Sequence, residues 1–99
     1  MNILIIEDDP IWKIKLQMMV EQLDLGTIRI AKSIYEAQQE ISTQLPDLIL
    51  ADVVLPDGLS FELLVNDLKE LPIIFLTGYQ EEMYLKKALL MPNASFLVT

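Results

Sequence analysis

The sequence predicts an α/β fold in which a parallel sheet is covered by helices on both faces. Three observations carry this. Short apolar runs alternate with longer segments whose apolar residues recur at helical spacing. Most of the runs are apolar throughout, as in strands buried on both sides. Charged residues and turn formers collect in the gaps between them.

The elements follow in order. Asn2 to Ile6 is a short apolar run closed by acids, a buried strand. Asp9-Pro10 starts a helix, with the carboxylate as N-cap and proline at the first helical position. Trp12, Leu16, Met19, Val20 and Leu23 then recur at helical spacing, and Gly26 marks the end. Trp12, Met18 and Met19 are expected in the core and not at a ligand site. Thr27 to Ala31 is a second strand. Ser33 caps a helix to about Gln44, with Glu36 completing a capping box. Pro46-Asp47 breaks it, and Leu48 to Ala51 is the third strand. Pro56-Asp57-Gly58 is a turn and helix start, and a helix is expected from Gly58 to about Leu71, with Leu59, Leu63 and Leu64 inward. Ile73 to Leu76 is the fourth strand, Gln80 to Met91 a helix, and Ser95 to Val98 the fifth strand.

The 99 residues allow one domain, and 53% hydrophobic residues allow a real core. No cysteine is present, which removes disulfides and thiolate metal sites. No histidine is present, which removes imidazole catalysis and imidazole ligands. The first apolar run is too short for a signal peptide, and no stretch approaches a membrane span. A soluble, cytoplasmic protein is expected. Fifteen acidic against seven basic residues give a net charge of −8, which argues against direct nucleic-acid binding. The basic residues are scattered apart from Lys86-Lys87, read as a solvated helix face.

In a parallel sheet the functional groups collect at the carboxyl ends of the strands. That rule gathers Glu7, Asp8 and Asp9 after the first strand, Asp52 at the third, Thr77-Gly78 after the fourth and Thr99 after the fifth. Carboxylates converging on one edge raise each other's proton affinity unless a cation neutralises them. Oxygen ligands alone suit a hard cation, Mg²⁺ above others, as the partner of Asp52. Asp9 is read as a helix cap only.

These residues resemble the receiver domain of bacterial two-component response regulators. The resemblance covers the whole chain and rests on "ILIIEDDP", "PDLILADVVLPDG" and "LPIIFLTGY". It implies a doubly wound, flavodoxin-like sheet of five parallel strands in the order 2-1-3-4-5. It implies that Asp52 accepts a phosphoryl group from a histidine of a sensor kinase or phosphotransfer protein. Asp8 would be a direct Mg²⁺ ligand, Glu7 a ligand through water, and the Val54 backbone carbonyl a further ligand. Thr77 would be the hydroxyl that meets the phosphoryl group. Phe96 is either the aromatic that follows that hydroxyl or a plain core residue. Such a domain is a switch that at most catalyses its own phosphoryl transfer.

The chain departs from the family's pattern in two places. Thr99 stands where the family has a lysine that pairs with the phosphoryl group. The fifth helix is missing, so residues 1–99 are expected to be a receiver domain incomplete at its C-terminus. Its absence would leave apolar strand residues open beside the first helix, which predicts a homodimer through that face. The alternative reading is a receiver-like interaction module that does not use phosphate. A phosphohydrolase with an aspartyl nucleophile ranks below both, because Val54 occupies the place of its general acid.

Overall fold

The computed structural model describes residues 1–60, 71–77 and 94–98, with only the backbone of Thr77, Ala94 and 96–98. In chain order the elements are β1 (Asn2–Ile6), α1 (Pro10–Leu23), β2 (Thr27–Ala31), α2 (Ile34–Thr43), β3 (Leu48–Asp52), β4 (Val54–Leu55), β5 (Gly58–Leu59), β6 (Ile73–Thr77) and β7 (Ala94–Val98). Five strands form one sheet in the order β2-β1-β3-β6-β7, and every pairing in it is parallel. This is the doubly wound order that the sequence led us to expect.

The strand period of two divides the core. Leu4 and Ile6 join Ala37, Ile49, Ala51, Val53, Ile73 and Phe75 on the face covered by α2. Ile3 and Ile5 join Leu16, Val20, Leu50 and Leu76 on the face covered by α1. Residues 3–6 are all buried, so both faces of β1 are covered. Each such aliphatic side chain contributes roughly 1.5–3 kcal/mol by leaving water.

The helix starts are as the sequence indicates. Asp9 accepts from the Ile11 amide at 2.9 Å, and Pro10 opens α1. Ser33 accepts from the Glu36 amide at 3.1 Å, while Glu36 reaches back to the amide of Lys32 at 2.7 Å. The end of α1 differs. Asp24 takes the left-handed C-cap conformation, with φ 51°, in place of Gly26. Gly26 meets a different demand. At its φ of 133° a Cβ would collide with the Met1 carbonyl oxygen.

Two expectations are corrected. Gly58 and Leu59 are not helical: they pair antiparallel with Leu55 and Val54 as a two-residue hairpin around Pro56-Asp57, and helical structure starts at Ser60. The φ of 141° at Gly58 closes a turn and does not fit a helix. The core reading of α1 also fails in part. Only Leu16 and Val20 are buried, while Met18, Met19 and Leu23 are more than half exposed. Apolar residues extend well beyond the line that meets the sheet: Ile11 and Ile14 are exposed as well. Trp12 is also partly exposed, with the Lys15 ammonium 4.9 Å from its ring centroid.

The remainder of the expected helix to Leu71, including Leu63 and Leu64, lies outside the described residues. So do Gly78, the Gln80 to Met91 helix with Lys86-Lys87, and Thr99. No helix among the described residues is long and apolar enough to cross a membrane.

Candidate functional site

β1 ends at Ile6, and the next three residues are acids with separate tasks. Glu7 continues the backbone pairing, its amide donating to the Ala31 carbonyl at 3.0 Å. Its side chain is buried, at 3% exposure. One of its carboxyl oxygens accepts from the Asp9 amide at 3.0 Å. Asp9 points the other way, onto the first turn of α1. Asp8 between them is exposed.

β3 lies beside β1, with Ile6 opposite Ala51, so Asp52 arrives next to Glu7 and Asp8. One carboxylate oxygen from each of Glu7, Asp8 and Asp52 lies within 4.8 Å of the others. The electrostatics follow from that crowding. Burial is the largest cause holding the Glu7 carboxyl up at about 7, against a reference of 4.5. The hydrogen bond from the Asp9 amide opposes the rise. The charge of Asp52, a side-chain hydrogen bond shared with Asp52, and the charge of Asp8 add to it. The Glu7 carboxyl therefore keeps its proton to higher pH than an ordinary glutamate. Oxygen donors at this spacing fit a hard dication, which would take the place of that proton.

The segment after Asp52 is fixed at both ends. The Val53 amide donates to the Leu76 carbonyl at 3.2 Å, which extends the β3–β6 ladder. Ser60, at 1% exposure, donates its hydroxyl to the Asp52 carbonyl at 2.5 Å and its amide to the Val53 carbonyl at 2.9 Å. At the hairpin tip the Asp57 carboxylate accepts from the amides of Ile34 and Tyr35 at 2.9 and 3.1 Å. Those bonds to the first turn of α2 hold the Asp57 carboxyl below its usual value.

The other expected site residues are placed by their backbones. Val54 opens the hairpin two residues after Asp52 and pairs with Leu59. Thr77 ends β6 at the same edge of the sheet, opposite Val98. Phe96 pairs with Phe75. Ser60 and the long reach of Asp57 were not foreseen. A serine ahead of an apolar run reads as an ordinary cap, and Pro-Asp-Gly as an ordinary turn. Neither pattern shows which distant backbone the side chain will meet.

Comparison with known proteins gives a consistent result. Residues 3–98 match the response regulator receiver domain. The chain is 40% identical over 101 residues to the phyllosphere-induced regulator PhyR of Methylorubrum extorquens, covering 98% of this chain and 37% of that one. The non-phosphorylated HemR receiver domain of Leptospira biflexa superposes with a TM-score of 0.78 at 33% identity, over 99% of this chain and 81% of that one. A two-component transcriptional regulator AraC of Clostridium phytofermentans does so with a TM-score of 0.85 at 27% identity, over 100% and 81%. The chain spans 35–66% of the length of the curated relatives it matches. By its sequence and its fold, this chain belongs to the response regulator receiver domain family.

Proposed function

We propose that this chain is the phosphoacceptor of a histidine-to-aspartate relay, with Asp52 as the acceptor. One observation carries the reading: two strands deliver Glu7, Asp8 and Asp52 to one edge with their carboxylate oxygens within 4.8 Å. A merely structural role gives no reason to crowd three acids there. In the step itself, an Asp52 carboxylate oxygen bonds to phosphorus. The bond from phosphorus to the donor's imidazole nitrogen breaks, and the electron pair leaves with that nitrogen. The product is an acyl phosphate on Asp52. Glu7, Asp8, Asp52 and the Val54 carbonyl are the groups that would hold Mg²⁺. When bound, the ion supplies positive charge against the phosphoryl oxygens. Thr77 is assigned as a hydroxyl donor to one of those oxygens, and Phe96 as the aromatic that responds to it.

The donor is a sensor histidine kinase or a phosphotransfer protein, and the output is a change in protein contacts. A second copy of the chain is a further partner. Leu16, Met19, Val20, Leu23, Leu25, Leu48, Leu50, Ile74 and Leu76 line a wholly apolar groove of about 180 Å³ beside α1. Met19 and Leu23 at its rim are 51% and 65% exposed, and a second copy would cover them. Sedimentation at rising concentration should show a dimer that Leu23→Glu disperses.

The test is incubation with a small phosphodonor and Mg²⁺, read by intact mass. An added phosphoryl group is expected, and Asp52→Asn or chelation of the metal should abolish it. Mg²⁺ should also shift the amide resonances around Asp8. Thr99 favours the second reading, an interaction module that does not use phosphate. The two separate on Thr99→Lys: a stronger label supports the phosphoacceptor, and no label in either protein supports the module.

A further inference from the structure

We infer that Ser60 is the positioning residue of the Asp52 site: it sets the direction in which the carboxylate of Asp52 and the carbonyl of Val54 face the same ligand. The inference rests on the reading of Asp52 as a metal-binding phosphoacceptor and names the residue that holds that site in shape.

The two groups belong to one short stretch of backbone. Their mutual orientation is set by the torsions at Asp52, Val53 and Val54, just where the chain leaves the sheet. Past Asp52 the parallel ladder holds the chain by one bond, from the Val53 amide to the Leu76 carbonyl, which leaves the peptide oxygens of Asp52 and Val53 to other donors. β3 ends at Asp52, and β4 pairs only with β5, as a separate two-stranded unit. Ser60 makes the closure. Its hydroxyl takes the Asp52 carbonyl and its amide takes the Val53 carbonyl, so two successive peptide oxygens are held by one residue. The hydroxyl also lies 3.4 Å from the Val53 carbonyl oxygen.

Burial makes the arrangement matter. Ser60 is 1% exposed and Val53 0%, so water cannot replace the hydroxyl cheaply. Without it the Asp52 carbonyl loses a buried donor, and the peptide can rotate to find another. The far end of the hairpin cannot follow that rotation. Asp57 ties the tip to the amides of Ile34 and Tyr35, and a Cβ on Gly58 would lie 3.3 Å from Ile34 Cδ1. With the tip fixed, slack released at the base has one outlet, the Asp52–Val54 segment. A ligand of two oxygens from that segment then meets them misaligned. Groups that orient metal ligands commonly change affinity by roughly tenfold or more when removed.

The test compares the full chain with Ser60→Ala, which deletes the hydroxyl and adds no volume. Mg²⁺ affinity is followed by amide shifts near Asp8, and the stability of the metal-free protein by urea unfolding. Hydrogen exchange at Val53 and Val54 gives a readout that needs no metal. Arg29→Ala, at the opposite edge of the sheet, is the control for lost stability. Ser60→Ala should weaken Mg²⁺ binding by about tenfold and speed exchange at Val53 and Val54, whereas the control should leave both unchanged. Ser60→Thr, which keeps the hydroxyl, should recover most of the affinity. Parent-like Mg²⁺ binding in Ser60→Ala, or equal weakening in Arg29→Ala, overturns the role of Ser60 alone. Absence of Mg²⁺ binding that depends on Asp52 in the parent overturns the reading of the site, and this inference with it.

Discussion

The two ends of the sheet treat charge in opposite ways. At the amino edge Arg29, Glu40 and Asp47 all have partners. Arg29 donates to the Asn2 side chain, to the carbonyl and carboxylate of Glu40, and to the Gln44 carbonyl, at 2.5 to 3.0 Å. It neutralises Glu40 and satisfies two carbonyls at the end of α2. Asn2 and Asp47 add a reciprocal pair: the Asn2 amide donates to the Asp47 carboxylate at 2.6 Å, and the Asp47 amide to the Asn2 carbonyl at 2.7 Å. At the carboxyl edge three carboxylates crowd together, and Glu7 keeps its proton up to about 7. One end lowers the energy of the fold. The other spends part of it to keep acids where a cation and a phosphoryl group would meet them.

The contrast is sharpest in its response to pH. The native pKa of Glu7 lies above its unfolded value. Between those values the folded protein therefore binds more protons than the unfolded chain, and stability falls as pH rises from about 4.5 to about 7. The full cost above that window is on the order of 3 kcal/mol. Urea midpoints of the metal-free protein should be higher at acid pH than above neutrality. Glu7→Gln should flatten that slope, and so should added Mg²⁺.

A cut at the other end should do the reverse. Arg29→Ala leaves the Glu40 carboxylate and the Gln44 carbonyl without their donor, at a cost of about 2 kcal/mol. Its Mg²⁺ affinity should match the parent's, and a loss would break the separation between the ends. Asp8→Asn removes one charge from the crowd. It should stabilise the metal-free fold by about 0.5 kcal/mol while weakening Mg²⁺ binding. The smallest effect belongs to Asp57, which is exposed. Its pKa is lowered, so its contribution is present above the reference value of 3.8 and is lost as pH falls through the lower folded value. Below that pH the amide resonances of Ile34 and Tyr35 should move, and Asp57→Asn should remove the transition.

The unequal legibility of the sequence has the same origin. Strands and caps are local: four successive apolar residues mark β1, and Asp9-Pro10 marks the start of α1, because period and cap chemistry act within a few residues. The acid cluster was legible as well, since one rule about parallel sheets sends Glu7, Asp8 and Asp52 to a common edge. What escaped depends on distant partners. Gly58 reads locally as a helix start, and its strand pairing depends on Leu55 across the hairpin. Ser60 acts through a carbonyl eight residues back, and Asp57 through amides twenty-two and twenty-three residues back. The exposure of Met19 and Leu23 was hidden for another reason: apolar spacing records which residues share a helix face and not how much of that face the sheet can reach.

The place of β1 in the sheet bears on how the chain comes to be folded. β1 comes first in sequence and lies between β2 and β3 in space. During synthesis its apolar run Ile3–Ile6 emerges with neither edge paired. One edge waits for Thr27–Ala31 and the other for Leu48–Asp52. Loop closures of that span make parallel sheets slow to assemble, and an unpaired apolar strand is prone to pair with a neighbouring chain. A pulse-labelled folding experiment should find the amides of β1 protected last on the side facing β3. Substitutions that weaken the crossover from β2 to β3 should raise aggregation during refolding more than they lower the final stability.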